Sequence, residues 1–364
     1  MKLPPLEGHK ALVQKIVHYL RLTVRGFVFL YLLSFVLLVG GFHVWGQANI
    51  TFAALMYLPP WIWIAPSFPL LVPALILDRK SAVCLVLAVF LFLAFHIDIR
   101  LFSPPAPEFS GSLTTLKVLS WNRGQDNGVS LRPIKDSLQP DFIALQETRG
   151  RHYASSTEYA EFTQVSDVGE FVLLSRWPIL ESTPVRMPGS SVVSAVRYQV
   201  LFGGSRFVIY NVHLPSPRSV LESYKRGAFL WGILGFPGSP WESKKLHYQA
   251  FWDDQLNIAR NIAASIAAEK DPVIVMGDFN TPAFGPIYRE FASQFQDAHL
   301  NAGDGTGFSF PGNTHNPLGL FRPWLRLDMI FAPQDWKLWE CKTLQTQSQH
   351  RPVFAEFEWP GTKP

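Results

Sequence analysis

Two long apolar stretches dominate the first hundred residues, and shorter apolar runs follow in the rest of the chain. Residues 26–77 contain no Asp, Glu, Lys or Arg, and a second uncharged run covers residues 81–97. A bilayer-spanning helix needs about 20 apolar residues, so the first run is long enough for two passes and the second for one. The pattern predicts a transmembrane region of about three helices at residues 26–100, after an N-terminal segment at residues 1–25.

The second predicted pass is rich in proline, which removes a helix hydrogen-bond donor and kinks the helix. The prolines are Pro59, Pro60, Pro66, Pro69 and Pro73. A re-entrant segment is the alternative here, and it would change the number of passes. A cleaved signal peptide or a buried hairpin fits less well, because the apolar sequence is long and resumes after the charged residues 78–80.

Lysines and arginines around the predicted helices indicate their orientation. Five precede the first span, the turn at residues 42–51 has none, and Arg79 and Lys80 follow the second span. Positively charged loops remain in the cytoplasm. We therefore expect a multi-pass protein of the cell membrane with a cytoplasmic N terminus and residues 116–364 outside the cytoplasm. The Pro- and Ser-rich residues 101–115 are predicted to be a linker.

After that linker, apolar runs typical of buried strands end at or near polar residues. These polar residues are Asn122, Glu147, His213, Asp278, Asn280 and Asp328. Residues 246–268 have a helical apolar spacing that suits packing on a sheet. Strands and helices therefore mix in one α/β domain at residues 116–364, and ligands of such domains bind at the strand ends.

Charge and cysteine content narrow the functional classes. Residues 1–100 carry eight Lys and Arg against three Asp and Glu, so the net charge of +4 divides into +5 there and −1 in residues 101–364. Nucleic-acid binders usually present a strongly basic surface, which the second part lacks as a net charge. Two isolated cysteines, Cys84 and Cys341, provide neither a disulfide framework nor a cysteine metal site.

The polar residues at the strand ends suit metal-assisted hydrolysis. Glu147 and Asp278 offer carboxylate oxygens and Asn122 a carbonyl oxygen, which are ligands that suit Mg²⁺ or Mn²⁺ and not zinc. His213 and His350 are candidates for proton transfer and transition-state hydrogen bonds, and Asp328 is available to orient one of them. There is no GxSxG motif for a serine nucleophile. Metal-assisted attack of water on phosphorus fits this set best.

Six motifs between Leu116 and Trp359 resemble, in order, those of the endonuclease/exonuclease/phosphatase family. They are SWN, LQE, YNVHLPSP, GDFN, RLDMIF and SQHRPVF. The resemblance implies a four-layer sandwich of two mixed β-sheets between outer helices. It also implies a Mg²⁺- or Mn²⁺-dependent phosphoric ester hydrolase.

The resemblance further implies a role for each matching residue. The implied metal ligands are Asn122 and Glu147. Asp278 and Asn280 would orient the attacking water and the phosphoryl oxygen. His213 would donate a hydrogen bond to a phosphoryl oxygen. His350, paired with Asp328, would stabilise the reacting group or protonate it.

Gln349 departs from the family pattern, which usually has Asp before the final His. An amide forms hydrogen bonds but carries no negative charge and cannot act as a base. The role of Gln349 and the presence of a second metal ion are therefore open. We expect an active enzyme with one metal ion, and a non-catalytic binding protein of the same fold is the alternative.

An uncharged stretch, residues 227–241, lies between the His213 motif and the helix before GDFN. Its large apolar residues are Phe229, Leu230, Trp231, Ile233, Leu234, Phe236 and Trp241, and the flanking cations are Lys225, Arg226, Lys244 and Lys245. Aromatic residues beside cations are typical of the membrane interface. We expect Trp231 and Phe236 to face the membrane and contact the substrate. Packing on the transmembrane helices and burial in the core are the alternatives.

Together these features predict a membrane-anchored phosphohydrolase that cleaves a phosphoester or pyrophosphate of a lipid or lipid-linked substrate. Its partners would be that lipid and the bilayer, and the sequence indicates no protein partner. Membrane helices ahead of an exported domain also resemble bacterial teicoplanin-resistance membrane proteins of the family, which implies a lipid-linked cell-wall intermediate as one substrate. A membrane-anchored nuclease for DNA or RNA is the alternative enzyme, disfavoured by the −1 charge balance.

Overall fold

The computed structural model describes residues 6–100, 115–124, 128–148, 153, 156–187, 189, 191–224, 227, 230–312 and 323–360. The chain forms two compact units. The first unit comprises Met1–Gly41 and Leu58–Asp98, and the second comprises Phe42–Tyr57 and Ile99–Pro364. The predicted linker lies outside the described residues up to residue 114, and Thr115 begins the first strand.

In the described part of the chain before the first strand there are five α-helices. They are α1 (Leu6–Val44), α2 (Ile50–Leu55), α3 (Trp61–Ile64), α4 (Ser67–Leu77) and α5 (Arg79–Phe95). Within α1, Lys10–Val44 contains an 18-residue window with a mean hydropathy of 2.3 and is long and apolar enough to cross a membrane. Among the described residues no other helix is both long enough and apolar enough, and Trp61–Leu77 is a shorter apolar segment that includes Pro73. One possible membrane anchor is therefore present, and the three-pass arrangement stays a prediction.

Within the first unit, α1 packs against α4 and α5. The buried contacts include Val28, Ala74, Ala82 and Leu85. Next to them the Arg25 guanidinium pairs with the Asp78 carboxylate at 2.6 Å, and Arg21 Nε donates to the Leu77 carbonyl oxygen at 2.7 Å. These two contacts join the charged turn between α4 and α5 to residues 21–25 of α1, just before the uncharged residues of that helix begin.

Among the described residues of the second unit, twelve strands form its framework. They are β1 (Thr115–Asn122), β2 (Phe142–Gln146), β3 (Gln164–Val168), β4 (Phe171–Ser175), β5 (Ile179–Arg186), β6 (Val193–Phe202), β7 (Ser205–His213), β8 (Val273–Asp278), β9 (Gln296–Asp297), β10 (Asp328–Ala332), β11 (Leu338–Thr343) and β12 (Val353–Glu358). One sheet has the order β11-β12-β1-β2-β4-β3 and the other β5-β6-β7-β8-β10-β9. The β1–β2 and β7–β8 pairs are parallel and the remaining pairs are antiparallel, so both sheets are mixed.

Six further α-helices lie after β1 among the described residues. They are α6 (Arg132–Leu138), α7 (Arg218–Tyr224), α8 (Trp231–Leu234), α9 (Glu242–Ala267), α10 (Gly285–Ala292) and α11 (Ala298–Ala302). Side chains of both sheets, such as Phe142 and Tyr198, form the central core, while Ile262 of α9 packs on the outer face of β8. Strands covered on both faces are buried along their whole length and mostly apolar, as β2, β4 and β8 are. The predicted sandwich of two mixed sheets flanked by helices is confirmed.

Strand register brings the polar strand ends together. Parallel pairing with β2 sets Asn122, the last residue of β1, beside the residue before Glu147. Parallel pairing of β7 with β8 aligns His213 with Asp278, and antiparallel pairing of β8 with β10 aligns Asp278 with Asp328. Residues far apart in the sequence therefore meet at one end of the sandwich.

Candidate active site

Asn122 links two carboxylates at the centre of this site. Its buried side-chain nitrogen Nδ2 donates to Glu147 Oε1 at 3.0 Å and to Asp278 Oδ2 at 2.8 Å, and its Oδ1 accepts from the Gly124 N–H. Glu147 has a φ of +52°, a left-handed conformation that is uncommon for Glu and that folded proteins retain mainly at functional sites. The structure thus places Asn122 between Glu147 and Asp278, so that the two predicted metal ligands contact each other and Asn122 also contacts Asp278.

Close packing of β8 on β7 requires the glycine before Asp278. Gly277 has a φ of +150°, and a Cβ atom there would lie 1.9 Å from the Val212 carbonyl oxygen. Only glycine lets the two backbones approach this closely without strain. The glycine of the GDFN motif therefore sets the position of the Asp278 carboxylate beside β7.

His213 is held by a glutamate that the sequence did not single out. Its Nδ1 lies 2.7 Å from Glu170 Oε1, while Nε2 lies 3.6 Å from Glu147 Oε1 and 3.9 Å from Asp278 Oδ2. Burial lowers the pKa of His213, but the Glu170 hydrogen bond and the surrounding carboxylates outweigh it and raise the pKa. Glu170 follows Gly169 in the turn between β3 and β4, where a polar residue gives no functional signal in the sequence.

His350 and Asp328 form the predicted pair. The His350 Nδ1 lies 2.9 Å from Asp328 Oδ2, and Nε2 lies 3.7 Å from Asp278 Oδ2. Burial opposes the charged form of His350, but the negative charges of Asp328 and Asp278 raise its pKa to about 9. The Ser309 hydroxyl oxygen accepts the Asp328 backbone N–H, which fixes the start of β10. His350 is therefore a protonated donor at neutral pH.

Asp278 lies between the two histidines. Burial raises the pKa of its carboxyl to about 6, although the charges of His350 and His213 favour the ionised form. Its Oδ1 accepts the backbone N–H of Asn280, whose φ of +47° is again left-handed. The Asn280 Nδ2 donates to the Leu214 carbonyl oxygen at 2.9 Å. Asn280 thus orients Asp278 through its backbone, and its predicted contact with a phosphoryl oxygen stays a prediction.

A cavity of about 420 Å³ opens beside these groups. It is lined by Glu147, Glu170, His213, Ser216, Arg218, Ser219 and Glu222. Gln349 is exposed, and its Oε1 lies 3.5 Å from an Arg218 guanidinium nitrogen. Arg218, at the start of α7, is a second residue that the sequence reading missed, although its place five residues after His213 was an available signal. The cavity combines carboxylates for a cation with a guanidinium for an anion.

The donor set fits a divalent metal ion. Glu147 and Glu170 face the cavity, and the Asn122 amide links Glu147 to Asp278. Several negative charges at one point repel each other unless a cation or a proton intervenes, and oxygen donors suit Mg²⁺ or Mn²⁺. Asp278, Asp328 and His350 form a second group that could hold a metal ion, with ligand atoms within 4.8 Å of one another.

The stretch of residues 227–241 contributes an exposed apolar surface. Lys225, Arg226 and Phe229 lie outside the described residues. The side chains of Ile233 and Phe236 are 63% and 62% exposed, which excludes burial in the core. Trp231 is partly buried and packs on Tyr248 with ring centroids 5.0 Å apart. Neither Trp231 nor Phe236 is among the described residues that line the cavity.

The pKa of His350 predicts a pH dependence of stability. Its value in the folded protein, about 9, is above the ordinary 6.5, so the folded state retains a proton that the unfolded chain releases between these values. The stabilisation is complete below pH 6.5 and is lost as pH rises through about 9. Asp328→Asn removes one of the charges that raise this pKa. We therefore expect the melting temperature of the variant to fall less between pH 6.5 and 9 than that of the wild type, measured in EDTA.

Asp271→Asn is the matched control for this measurement. Asp271 lies before β8, at the opposite end of the strand from Asp278, and accepts from Gln199 Nε2 at 3.0 Å. The Asp271→Asn variant also removes one carboxylate charge, but far from His350, so it should keep the pH dependence of the wild type. Identical pH dependence in the wild type and in Asp328→Asn would contradict the proposed charge pairing.

Comparison with known proteins extends these observations. The sequence model of the endonuclease/exonuclease/phosphatase family matches residues 117–350. A search of curated proteins found no match. The fold is similar to TDP2 of D. rerio in complex with a single-stranded DNA product, with 17% identity, coverage of 68% of this chain and 100% of that one, and a TM-score of 0.49.

Two bacterial structures are similar to about the same extent. The Neisseria 3′ phosphatase NExo bound to a DNA hairpin has 15% identity, covers 67% of this chain and 100% of its own, and has a TM-score of 0.44. An endonuclease/exonuclease/phosphatase family protein of Bacteroides thetaiotaomicron has 16% identity, covers 67% of this chain and 98% of its own, and has a TM-score of 0.45. The family match spans more than half of the chain and includes the candidate site residues from Asn122 to His350. The chain belongs to the endonuclease/exonuclease/phosphatase family.

Proposed function

We propose that this protein is a membrane-anchored, metal-dependent phosphohydrolase that acts on a lipid or lipid-linked phosphate outside the cytoplasm. The observation that carries the proposal is the exposed apolar surface of Leu230, Ile233, Leu234 and Phe236, which follows the cavity-lining helix α7 along the chain. An enzyme that acts on a soluble substrate does not need such a surface, whereas an enzyme that takes its substrate from a bilayer needs a contact with lipid.

The residues of the site divide the hydrolytic reaction between them. The Asp278 carboxylate accepts a hydrogen bond from the attacking water and takes its proton, since burial brings its pKa close to neutral pH. The protonated His350, held by Asp328, donates to the phosphoryl group as negative charge develops. His213, oriented by Glu170, provides a second donor at Nε2.

Glu147 and Asn122 are the residues that would hold the metal ion. When bound there, Mg²⁺ or Mn²⁺ supplies positive charge that stabilises negative phosphoryl oxygens. Arg218 on the cavity wall offers a further cationic contact for the phosphate. With Gln349 in place of a carboxylate, the described residues provide fewer anionic ligands here, which supports a single metal ion.

The apolar surface has the chemistry of a membrane contact. Inserting an exposed side chain the size of Leu or Phe into lipid contributes about 1.5 to 3 kcal/mol. Lys244, whose ammonium lies 5.1 Å from the Trp231 ring and 5.0 Å from the Trp241 ring, provides positive charge for anionic headgroups. Insertion of this apolar surface into lipid would therefore hold a bilayer substrate near the cavity. The partly buried Trp231 mainly supports the surface from below.

The location outside the cytoplasm is supported by the grouping of residues 42–57 with the catalytic strands. This segment includes the last residues of α1, whose N-terminal flank is rich in Lys and Arg. If α1 crosses the membrane with that flank in the cytoplasm, its C-terminal end and the catalytic domain share the opposite side. An odd number of passes is required, which the proposed three-pass arrangement satisfies.

The first functional prediction concerns metal dependence. Glu147→Gln keeps the size of the side chain but removes its negative charge. Because metal-assisted charge stabilisation is worth several kcal/mol, we expect kcat to fall by about 10²-fold or more, and EDTA to abolish wild-type turnover until Mg²⁺ or Mn²⁺ is restored. The assay is hydrolysis of lipid phosphates and of a short soluble phosphoester by purified protein in detergent.

Glu290→Gln is the control for loss of a glutamate charge. Glu290 pairs with Arg260 on the surface, away from the cavity, so its replacement should leave turnover unchanged. Full activity of the wild type in EDTA would exclude the proposed mechanism.

The second functional prediction concerns the lipid contact. Replacing Ile233, Leu234 and Phe236 together by Ser leaves the cavity residues untouched but removes their insertion into lipid. We expect kcat/KM for lipid phosphates to fall at least about 100-fold, because three side chains at about 1.5 to 3 kcal/mol each exceed the roughly 3 kcal/mol to which a 100-fold loss corresponds, with little change for the soluble phosphoester.

The control variant carries Leu180→Ser and Val192→Ser. Both side chains are exposed, at 47% and 59%, and lie outside residues 227–241. This variant should retain lipid hydrolysis. Equal losses on both substrates in the triple variant would show a role in the fold alone, and unchanged lipid hydrolysis combined with cleavage of single-stranded DNA would favour the nuclease.

The topology yields a third functional prediction. Alkaline phosphatase fused after Pro364 is active only outside the cytoplasm, so this fusion should be active in intact cells. A fusion after Arg25 should be inactive, since it ends ahead of the uncharged run. Activity of a cytoplasmic reporter at Pro364 would indicate an even number of passes and contradict the proposed location.

A further inference from the structure

Residues 42–57 form a compact segment within the catalytic unit, here called the interhelical segment. It contains the end of α1, a short 3₁₀ helix at Gly46–Ala48 and α2. Its buried residues include Phe42, Gln47, Ile50, Ala53, Met56 and Tyr57. The segment lies outside the part of the chain that the family model matches.

Two polar side chains of the interhelical segment bind the loop that carries the catalytic aspartate. This loop, residues 278–281, is called the catalytic loop below. The Tyr57 hydroxyl donates to the Asn280 carbonyl oxygen at 2.8 Å, and Gln47 Nε2 donates to the Thr281 hydroxyl oxygen. All four residues are buried, so these hydrogen bonds have little competition from solvent.

The Tyr57 hydrogen bond acts on Asp278 through Asn280. The Asn280 backbone N–H donates to Asp278 Oδ1 at 2.8 Å, so the orientation of the Asn280 backbone sets the orientation of the carboxylate. Asn280 is left-handed, and such a conformation persists only where surrounding contacts over-determine it. Tyr57 on the carbonyl side and Asp278 on the amide side supply two of those contacts.

The interhelical segment is itself fixed to neighbouring elements of the catalytic unit. Trp324 Nε1 donates to the Tyr57 carbonyl oxygen at 3.1 Å, and Gln249 Nε2 donates to the Gln47 carbonyl oxygen at 3.1 Å. The Tyr57 ring also packs on Trp252 with centroids 5.7 Å apart. The two donors therefore approach the catalytic loop from a rigid support.

We propose that Tyr57 and Gln47 are positioning residues that hold Asp278 in its reactive orientation, so that the interhelical segment completes the active site. A merely structural role would contribute to folding without affecting the loop in particular. A positioning role predicts a local effect, because a displacement of about 1 Å at reacting groups can cost 10²-fold in rate.

The first test is Tyr57→Phe in the full-length protein, which keeps the ring on Trp252 and removes only the hydroxyl. We expect amide hydrogen exchange of residues 278–281, measured in EDTA without substrate, to rise about 10-fold with little change elsewhere. Hydrolysis of the soluble phosphoester should show a kcat about 10-fold lower at nearly constant KM. The kinetic readout rests on the proposed function, whereas the exchange readout does not.

Tyr288→Phe is the matched control, since the Tyr288 hydroxyl donates to Asp297 Oδ2 at 2.9 Å away from the catalytic loop. It should leave both exchange in the loop and kcat unchanged. Unchanged exchange in the loop of Tyr57→Phe, or a uniform rise over the whole domain, would overturn the proposal. Altered exchange with no hydrolysis by the wild type would support positioning while contradicting the proposed activity.

The contact between Gln47 and Thr281 allows a double-mutant cycle. Gln47→Leu and Thr281→Val each remove one partner of the same hydrogen bond. If the bond positions the loop, the two effects on loop exchange should be non-additive, with the double variant close to the more severe single variant. Additive effects would show that the two residues act independently and would overturn the assignment of Gln47.

Discussion

The burial of the Asp278 carboxylate is the constraint around which this active site is organised. A buried carboxylate is costly unless hydrogen bonds and opposite charges surround it. Here the Asn122 amide, the Asn280 backbone N–H and two histidine rings supply those contacts. Burial raises the pKa of Asp278 to about 6, while the histidines and the Asn280 N–H limit that rise, and the charges of Asp328 and Asp278 in turn raise the pKa of His350 to about 9. Stability and chemistry therefore depend on one set of contacts.

The sandwich makes this arrangement possible because its strands deliver the groups from both sheets. Asn122 and Glu147 come from one sheet, while His213, Asp278 and Asp328 come from the other. Close approach of β7 and β8 at Gly277 sets the spacing, and the left-handed residues at positions 147 and 280 turn the chain where the strands end. Strain of this kind is retained because contacts on several sides hold it, which is also why the interhelical segment matters to the catalytic loop.

The apolar residues of this chain serve two different purposes. In β2, β4 and β8 they fill a core covered on both faces, whereas the side chains of Ile233 and Phe236 remain exposed beside Lys244. An exposed cluster of this size is costly in water and has a physical purpose when it contacts lipid. The proposed lipid substrate thus explains a surface that a hydrolase for soluble phosphoesters would not need.

The sequence by itself determined a mixed α/β domain with polar residues at the ends of apolar runs, because runs such as those ending in Asn122, His213 and Asp278 are typical of buried strands, and the motif resemblance implied the two-sheet sandwich. It could not identify Glu170 or Arg218, since a polar residue in a turn or at a helix start is the ordinary case. Nor could it assign residues 42–57, because an uncharged segment has the same pattern whether it meets lipid or a protein core. Only the tertiary structure decided that these residues pack on the catalytic loop, through contacts between positions more than 200 residues apart.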